Sequence, residues 1–224
     1  MKVQSLRSYA WACCALLMIP LIGLIYIHLN HGEGVYYSLV TDLDRQLPFL
    51  KIFVVPYLSW YAFLLAGFLY LAYKDRQSYY WTLLQFIVGL LICYSVYAVY
   101  QTYVPRPLIE GDDWLLRTVA WVYQSDQPFN CFPSTHVLTS YLMMKAYLSA
   151  GNVPRIYKAI VTLMAVLIIV STQFVKQHVL LDIVGAVIVA EGVVAILNRI
   201  RYRRWNSELA AGMRGEHLEG GLER

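Results

Sequence analysis

Charge is scarce in this chain. Asp, Glu, Lys and Arg make up 14% of its 224 residues, against 59% hydrophobic residues. A soluble domain carries about 25% charged and about 45–50% apolar residues. A chain this apolar does not dissolve as a simple globule, and the same numbers exclude intrinsic disorder and a collagen-like repeat. The four cysteines, Cys13, Cys14, Cys93 and Cys131, lack the spacing of a metal site or a disulfide framework. No internal repeat is evident. The net charge of +4 is small, and the positive residues flank apolar segments, so the composition does not call for nucleic acid.

Long hydrophobic runs are what the chain has instead. A transmembrane helix needs about 20 mostly apolar residues, because the hydrocarbon layer is about 30 Å thick and each residue rises about 1.5 Å. Residues 10–29, 49–73, 80–100 and 136–150 qualify, and 156–198 is long enough for two crossings with a turn near 174–177. The fourth run is short, and either extends into the preceding loop or tilts. The first follows Lys2 and Arg7, and no small-x-small cleavage site follows it, so it reads as a retained span rather than a signal peptide. The prediction is an all-α polytopic bundle of six transmembrane helices. Residues 1–205 form the catalytic domain, and 206–224 form a mobile polar tail.

Basic residues in the short connections set the orientation. One side carries Lys2, Arg7, Lys74, Arg76, Arg155, Lys158, Arg199, Arg201, Arg203, Arg204, Arg214 and Arg224. The other has only Arg45, Lys51, Arg106, Arg117 and Lys176. Both termini are therefore expected in the cytoplasm. The 19 tyrosines and 6 tryptophans cluster at span ends, where amphipathic rings favour the headgroup level.

The outer connections, 31–48 and 101–133, are long, and long loops with specific polar groups tend to carry function. Within the first, residues 35–47 are expected to form a helix lying in the interface. Three constellations fall at one membrane depth on this side. His178 and Asp182, four apart, share a helix face. The carboxylate fixes the imidazole tautomer and leaves the other nitrogen as a nucleophile. Pro133 and Ser134 start a helix whose free N–H groups, with the hydroxyls of Ser134 and Thr135, suit an anion. His136 in its first turn is placed to protonate a leaving oxygen. Arg106, held between Pro105 and Pro107, offers a guanidinium to phosphate oxygens, and Lys176 adds a second cation. Together these parts describe phosphoryl transfer without metal or cofactor. His178 is the nucleophile, Asp182 its orienting partner and His136 the acid and base. Arg106, Lys176, Ser134 and Thr135 hold the phosphate.

At these residues the chain resembles the type 2 phosphatidic acid phosphatase superfamily of integral membrane lipid phosphatases. Arg106-Pro107, Pro133-Ser134-Thr135-His136 and Ser171-Thr172…His178…Asp182 match its three blocks in order and spacing. The resemblance implies the same catalytic triad, with Ser171 joining the phosphate ligands. The implied enzyme hydrolyses a lipid phosphate of the phosphatidic acid, phosphatidylglycerol phosphate or polyprenyl diphosphate type at the outer face of the plasma membrane. Its partners are that lipid and the bilayer, and its oligomeric state is open. Three positions depart from the family pattern: Val99 stands for a lysine, Thr135 for a glycine and Thr172 for an arginine. The Lys176-Gln177-His178 run and Thr172 look more like inositol phosphorylceramide and sphingomyelin synthases, which move a phosphorylated headgroup between lipids. A singly charged phosphodiester needs fewer cations than a phosphomonoester. A non-enzymatic lipid-binding protein or transporter is disfavoured by the presence of His136, His178 and Asp182.

Overall fold

The computed structural model describes residues 3–30 and 35–219, with side chains for 9–30 and 35–203. Helix dominates it, and among the described residues the only β pairing consists of two isolated bridges, Tyr37 with Thr102 and Tyr103 with Phe129. The first apolar run is two helices, α1 (Val3–Leu16) and α2 (Met18–Leu29), divided at Leu17. Pro20 accounts for the break, since it has no N–H for the carbonyl four residues back and its ring crowds that carbonyl. Then come α3 (Asp42–Gln46), a 3₁₀ turn (Lys51–Phe53), α4 (Val54–Lys74), α5 (Arg76–Val99), α6 (Trp114–Ser125), α7 (Thr135–Ser149), α8 (Arg155–Phe174) and α9 (Leu180–Glu219).

Among the described residues, five segments are long and apolar enough to cross a membrane: Tyr9–Leu29, Lys51–Lys74, Arg76–Val99, Arg155–Phe174 and Leu180–Arg203. These match five of the six expected runs. The remaining one, α7, has 15 residues, a rise of about 22 Å. Residues 137–140 are all buried, and α7 packs against α8, α5 and α4. A helix enclosed by neighbours buries its backbone in protein, so the bilayer does not set its length. Glycines allow the close approach. A Cβ at Gly89 would stand 3.0 Å from a methyl of Leu138, one at Gly67 would meet Met143, and the Tyr147 hydroxyl donates to the Gly67 carbonyl at 2.9 Å.

The outer loops differ from expectation in two places. Helix covers only α3 within 35–47, because Thr41 and Asp44 form a capping box that starts it at Asp42. The preceding stretch is extended, with Tyr37 bonded through its backbone to Gln101 and Tyr103. The long 101–133 connection contains α6, which sequence reading treated as loop. Asp113 caps it by accepting from the N–H groups of Leu115 and Leu116. Val119 and Val122 of α6 pack with Val54, Tyr57 and Val175.

By compactness the chain divides into two units, Met1–Ala190 and Glu191–Arg224. The first contains every candidate site residue. In the second, helix continues to Glu219 and includes the start of the expected polar tail, while 220–224 lie outside the described residues.

Candidate active site

The third sequence block is a tight hairpin. After α8 the Thr172 carbonyl accepts the N–H groups of Gln177 (3.0 Å) and His178 (3.2 Å), and Lys176 takes the left-handed conformation at φ 55°. Asp44, from the first outer loop, accepts the N–H of Leu180 at 2.8 Å and so caps the start of α9. Asp182 is fully buried. Its Oδ2 accepts the N–H of Val179 at 2.9 Å and lies 3.2 Å from His178 Nδ1. With Nδ1 facing a carboxylate, the proton belongs on Nδ1 and the lone pair on Nε2.

The second block meets the third directly. Ser134 caps α7, accepting from the N–H of Val137 at 3.3 Å, and its own N–H donates to the Asp182 carbonyl at 3.3 Å. The His136 ring centroid lies 6.0 Å from that of His178. Its ring stacks on Tyr57 at 4.7 Å and leans on Trp60 at 4.2 Å. Upstream, the Thr102 hydroxyl accepts the N–H groups of Cys131 and Phe132, and the Tyr97 hydroxyl donates to the Pro133 carbonyl. Burial pushes the Cys131 thiol well above its ordinary range, which removes it as a rival nucleophile.

The Phe132 ring sits against Gly185, one turn beyond Asp182, where a Cβ would overlap it. Gly185→Ala is therefore expected to push the second block away from the third. Turnover should fall about tenfold or more, since small misplacements of reacting groups are costly, with the chain still folded. Activity measured beside circular dichroism and melting temperature checks this.

Arg106 is held by protein acceptors. Its two terminal nitrogens donate to the carbonyls of Tyr123 (3.0 Å) and Asp126 (2.7 Å) and to Gln177 Oε1 (2.6 Å), and the guanidinium lies over the Tyr123 ring. Two donors in this group, Arg106 Nε and Gln177 Nε2, are buried without a partner, as is the acceptor Asp182 Oδ1. Lys176 points elsewhere. Its ammonium donates to the carbonyls of Asp44 (3.0 Å) and Leu47 (2.6 Å), and burial holds it below the usual lysine range. Ser171 is buried with its hydroxyl on the Ile168 carbonyl, and the Thr172 hydroxyl bonds the Ile169 carbonyl. Val99 is 85% exposed at the end of α5. The structure thus brings together His136, His178, Asp182, Ser134, Thr135 and Arg106. It places Lys176 and Ser171 on other partners.

Two cavities meet at His136. A polar niche of about 10 Å³ is bounded by Arg106, Asn130, Thr135, Gln177 and both histidines, among others. Beside it lies a largely apolar trough of about 560 Å³ between α2 and α4. Tyr57, Tyr61, Leu64 and Phe68 line it as one stripe of α4, about 16 Å long at 1.5 Å per residue. That is about half a hydrocarbon core, or one leaflet.

Several residues here were not singled out from the sequence. Tyr57 and Trp60 sit inside a span and read as ordinary apolar residues. Gln177 was read only as part of the Lys176-Gln177-His178 run, with no role of its own. Asp44, expected to face water from an interfacial helix, is buried instead, and its capping role was legible in the Thr41-x-x-Asp44 signature.

These features define a helical protein with membrane-length apolar segments and a part-buried His–Asp pair beside a second histidine. The model of the PAP2 superfamily matches residues 104–206, a stretch that holds all three sequence blocks. Over that stretch the chain is similar to the PAP2 superfamily, whose members are phosphoesterases or phosphotransferases. No curated protein and no solved structure matches the chain.

Proposed function

We propose that the chain cleaves a P–O bond of a membrane lipid phosphate through a phosphohistidine on His178. His178 Nε2 attacks phosphorus and the lipid oxygen leaves with a proton from His136. Asp182 stabilises the imidazolium that forms. His136 then takes a proton from the acceptor, which attacks phosphorus and frees His178. In the first form of the reading the acceptor is water and the chain is a lipid phosphatase. The observation that carries it is the pair of unpartnered buried donors, Arg106 Nε and Gln177 Nε2, on residues that line the histidine niche. Buried donors are costly unless something accepts from them, and phosphate oxygens do so. The adjoining leaflet-length trough suits a lipid tail.

In the second form the acceptor is a lipid alcohol and a phosphorylated headgroup is transferred. What favours it is the scarcity of cations at the site, where the terminal nitrogens of Arg106 and the ammonium of Lys176 are already on protein acceptors. In either form α7 completes six crossings, both termini are cytoplasmic, and the site faces the outside of the plasma membrane. The charge asymmetry of the connections supports that orientation.

Purified chain in lipid nanodiscs, offered a panel of phospholipids and polyprenyl phosphates, tests the proposal. Hydrolysis of a phosphomonoester gives free phosphate in step with the dephosphorylated lipid. Transfer gives a new phospholipid with little free phosphate. An absence of both, on every lipid, rejects the reading.

A further inference from the structure

We propose that Asp126 is a headgroup-recognition residue. Its carboxylate accepts a hydrogen bond from a donor on the lipid headgroup, a hydroxyl or an ammonium, and repels a bare dianionic phosphate. The inference rests on the phosphoryl-transfer reading above and selects its second form, in which the substrate is a phosphodiester.

Placement is the first argument. Asp126 follows α6, and among the described residues four line both the trough and the niche: Tyr26, Asp126, Thr135 and His136. The niche holds about one water-sized group. A phosphate on His178 therefore extends into the mouth that these four residues form, and whatever it carries passes Asp126.

Charge is the second argument. Asp126 Oδ1 accepts from the Tyr26 hydroxyl at 2.6 Å and from Asn30 Nδ2 at 3.0 Å. Both donors are neutral, so they aim the carboxylate without cancelling its charge. Neither of these partners is a lysine, arginine or histidine. Arg106 donates to the backbone carbonyl of Asp126, not to its carboxylate. The family's other cation positions hold Val99 and Thr172. A dianionic monoester would face this carboxylate with little to offset it, whereas a monoanionic diester meets half the repulsion. If the diester also carries a donor, the free carboxylate oxygen becomes a binding contact, and charged acceptors make the stronger hydrogen bonds.

Asp126 also ties α2 to the outer loop through Tyr26 and Asn30, and the test separates that anchoring from recognition. The full chain is placed in nanodiscs that hold a long-chain alcohol as acceptor and one of four lipids with identical acyl chains: phosphatidylmethanol, phosphatidylglycerol, phosphatidylethanolamine or phosphatidate. Diacylglycerol release gives kcat/KM for wild type, Asp126→Asn and His178→Ala. Wild type is expected to favour at least one donor-bearing headgroup over the methyl diester by about tenfold. The glycerol and ethanolamine arms tell hydroxyl from ammonium. Asp126→Asn should lose most of that preference, change the methyl diester by less than about threefold and raise phosphatidate turnover. A loss shared equally by all four lipids assigns Asp126 to anchoring alone and overturns the inference. So does a wild type that prefers phosphatidate or the methyl diester, which leaves the phosphatase form standing. Activity undiminished in His178→Ala rejects phosphoryl transfer through this histidine altogether.

Discussion

Replacing His178 with alanine is expected to lower lipid turnover by at least about 10³-fold, the scale on which loss of a covalent nucleophile is felt. The geometry supports this expectation. Asp182 Oδ2 is 3.2 Å from His178 Nδ1 and is itself held by the Val179 N–H, so Nε2 is the free nucleophilic nitrogen. Asp182→Asn should cost about 10²–10⁴-fold, because an amide can present the wrong group to Nδ1 and favour the wrong tautomer. The two variants separate role from folding. Asp182 also accepts from backbone at Val179, so its loss should lower the melting temperature. Among the described residues the His178 ring bonds only Asp182, so His178→Ala should leave stability nearly unchanged. The direct measurement is capture of the intermediate after rapid quench with labelled substrate. Label should appear on wild-type protein in an acid-labile, alkali-stable linkage and be absent from His178→Ala. Label retained by the variant would move the nucleophile elsewhere.

The second large effect concerns the trough. Gly23 lies on its α2 wall, and a Cβ built there meets nothing within 4 Å. Gly23→Leu therefore adds a branched side chain to open space rather than to packed core. It also replaces a poor helix former with a good one, worth about 1 kcal/mol in favour of the helix. The chain should fold at least as well as wild type, while the trough narrows one turn from Tyr26 at its mouth. Turnover of long-chain lipid should fall about tenfold or more. A short-chain or tail-less phosphate ester, which needs only the niche, should be turned over at close to the wild-type rate. Ranking chain lengths against both proteins gives the readout. Equal loss on long and short substrates would mean that the trough holds no tail.

Much of the fold was legible because membrane helices are written in composition. Five of six apolar runs became helical segments of membrane length, the first of them broken at Leu17, since a backbone in lipid must satisfy itself and long apolar helix does so cheaply. The turn at 174–177 was legible for the same reason, as 43 residues cannot make one crossing. The sixth run was seen as helix but not as the enclosed centre of the bundle. Enclosure depends on which neighbours surround α7, and apolar periodicity reads alike against lipid and against protein. Helix α6 was missed because it lies inside a long polar connection. Its signal, Asp113 before an apolar stripe at Val119 and Val122, was local and short.

In the site, sequence alone determined the chemistry on offer. His136, His178 and Asp182 were marked by residue type, spacing and predicted depth. The four-residue step from His178 to Asp182 sets their contact within a single stretch of chain. What only the tertiary structure decided is where the cations point and what stands beside the histidines. Lys176 and Arg106 carry long side chains whose charged ends reach acceptors many residues away, Asp44, Leu47, Tyr123 and Gln177 among them. Asp126 shares cavity walls with the histidines only because the end of α6 packs beside the trough and the niche. Contacts between distant segments leave no periodic trace in a single sequence, and so a scarce charge was easy to count and hard to place.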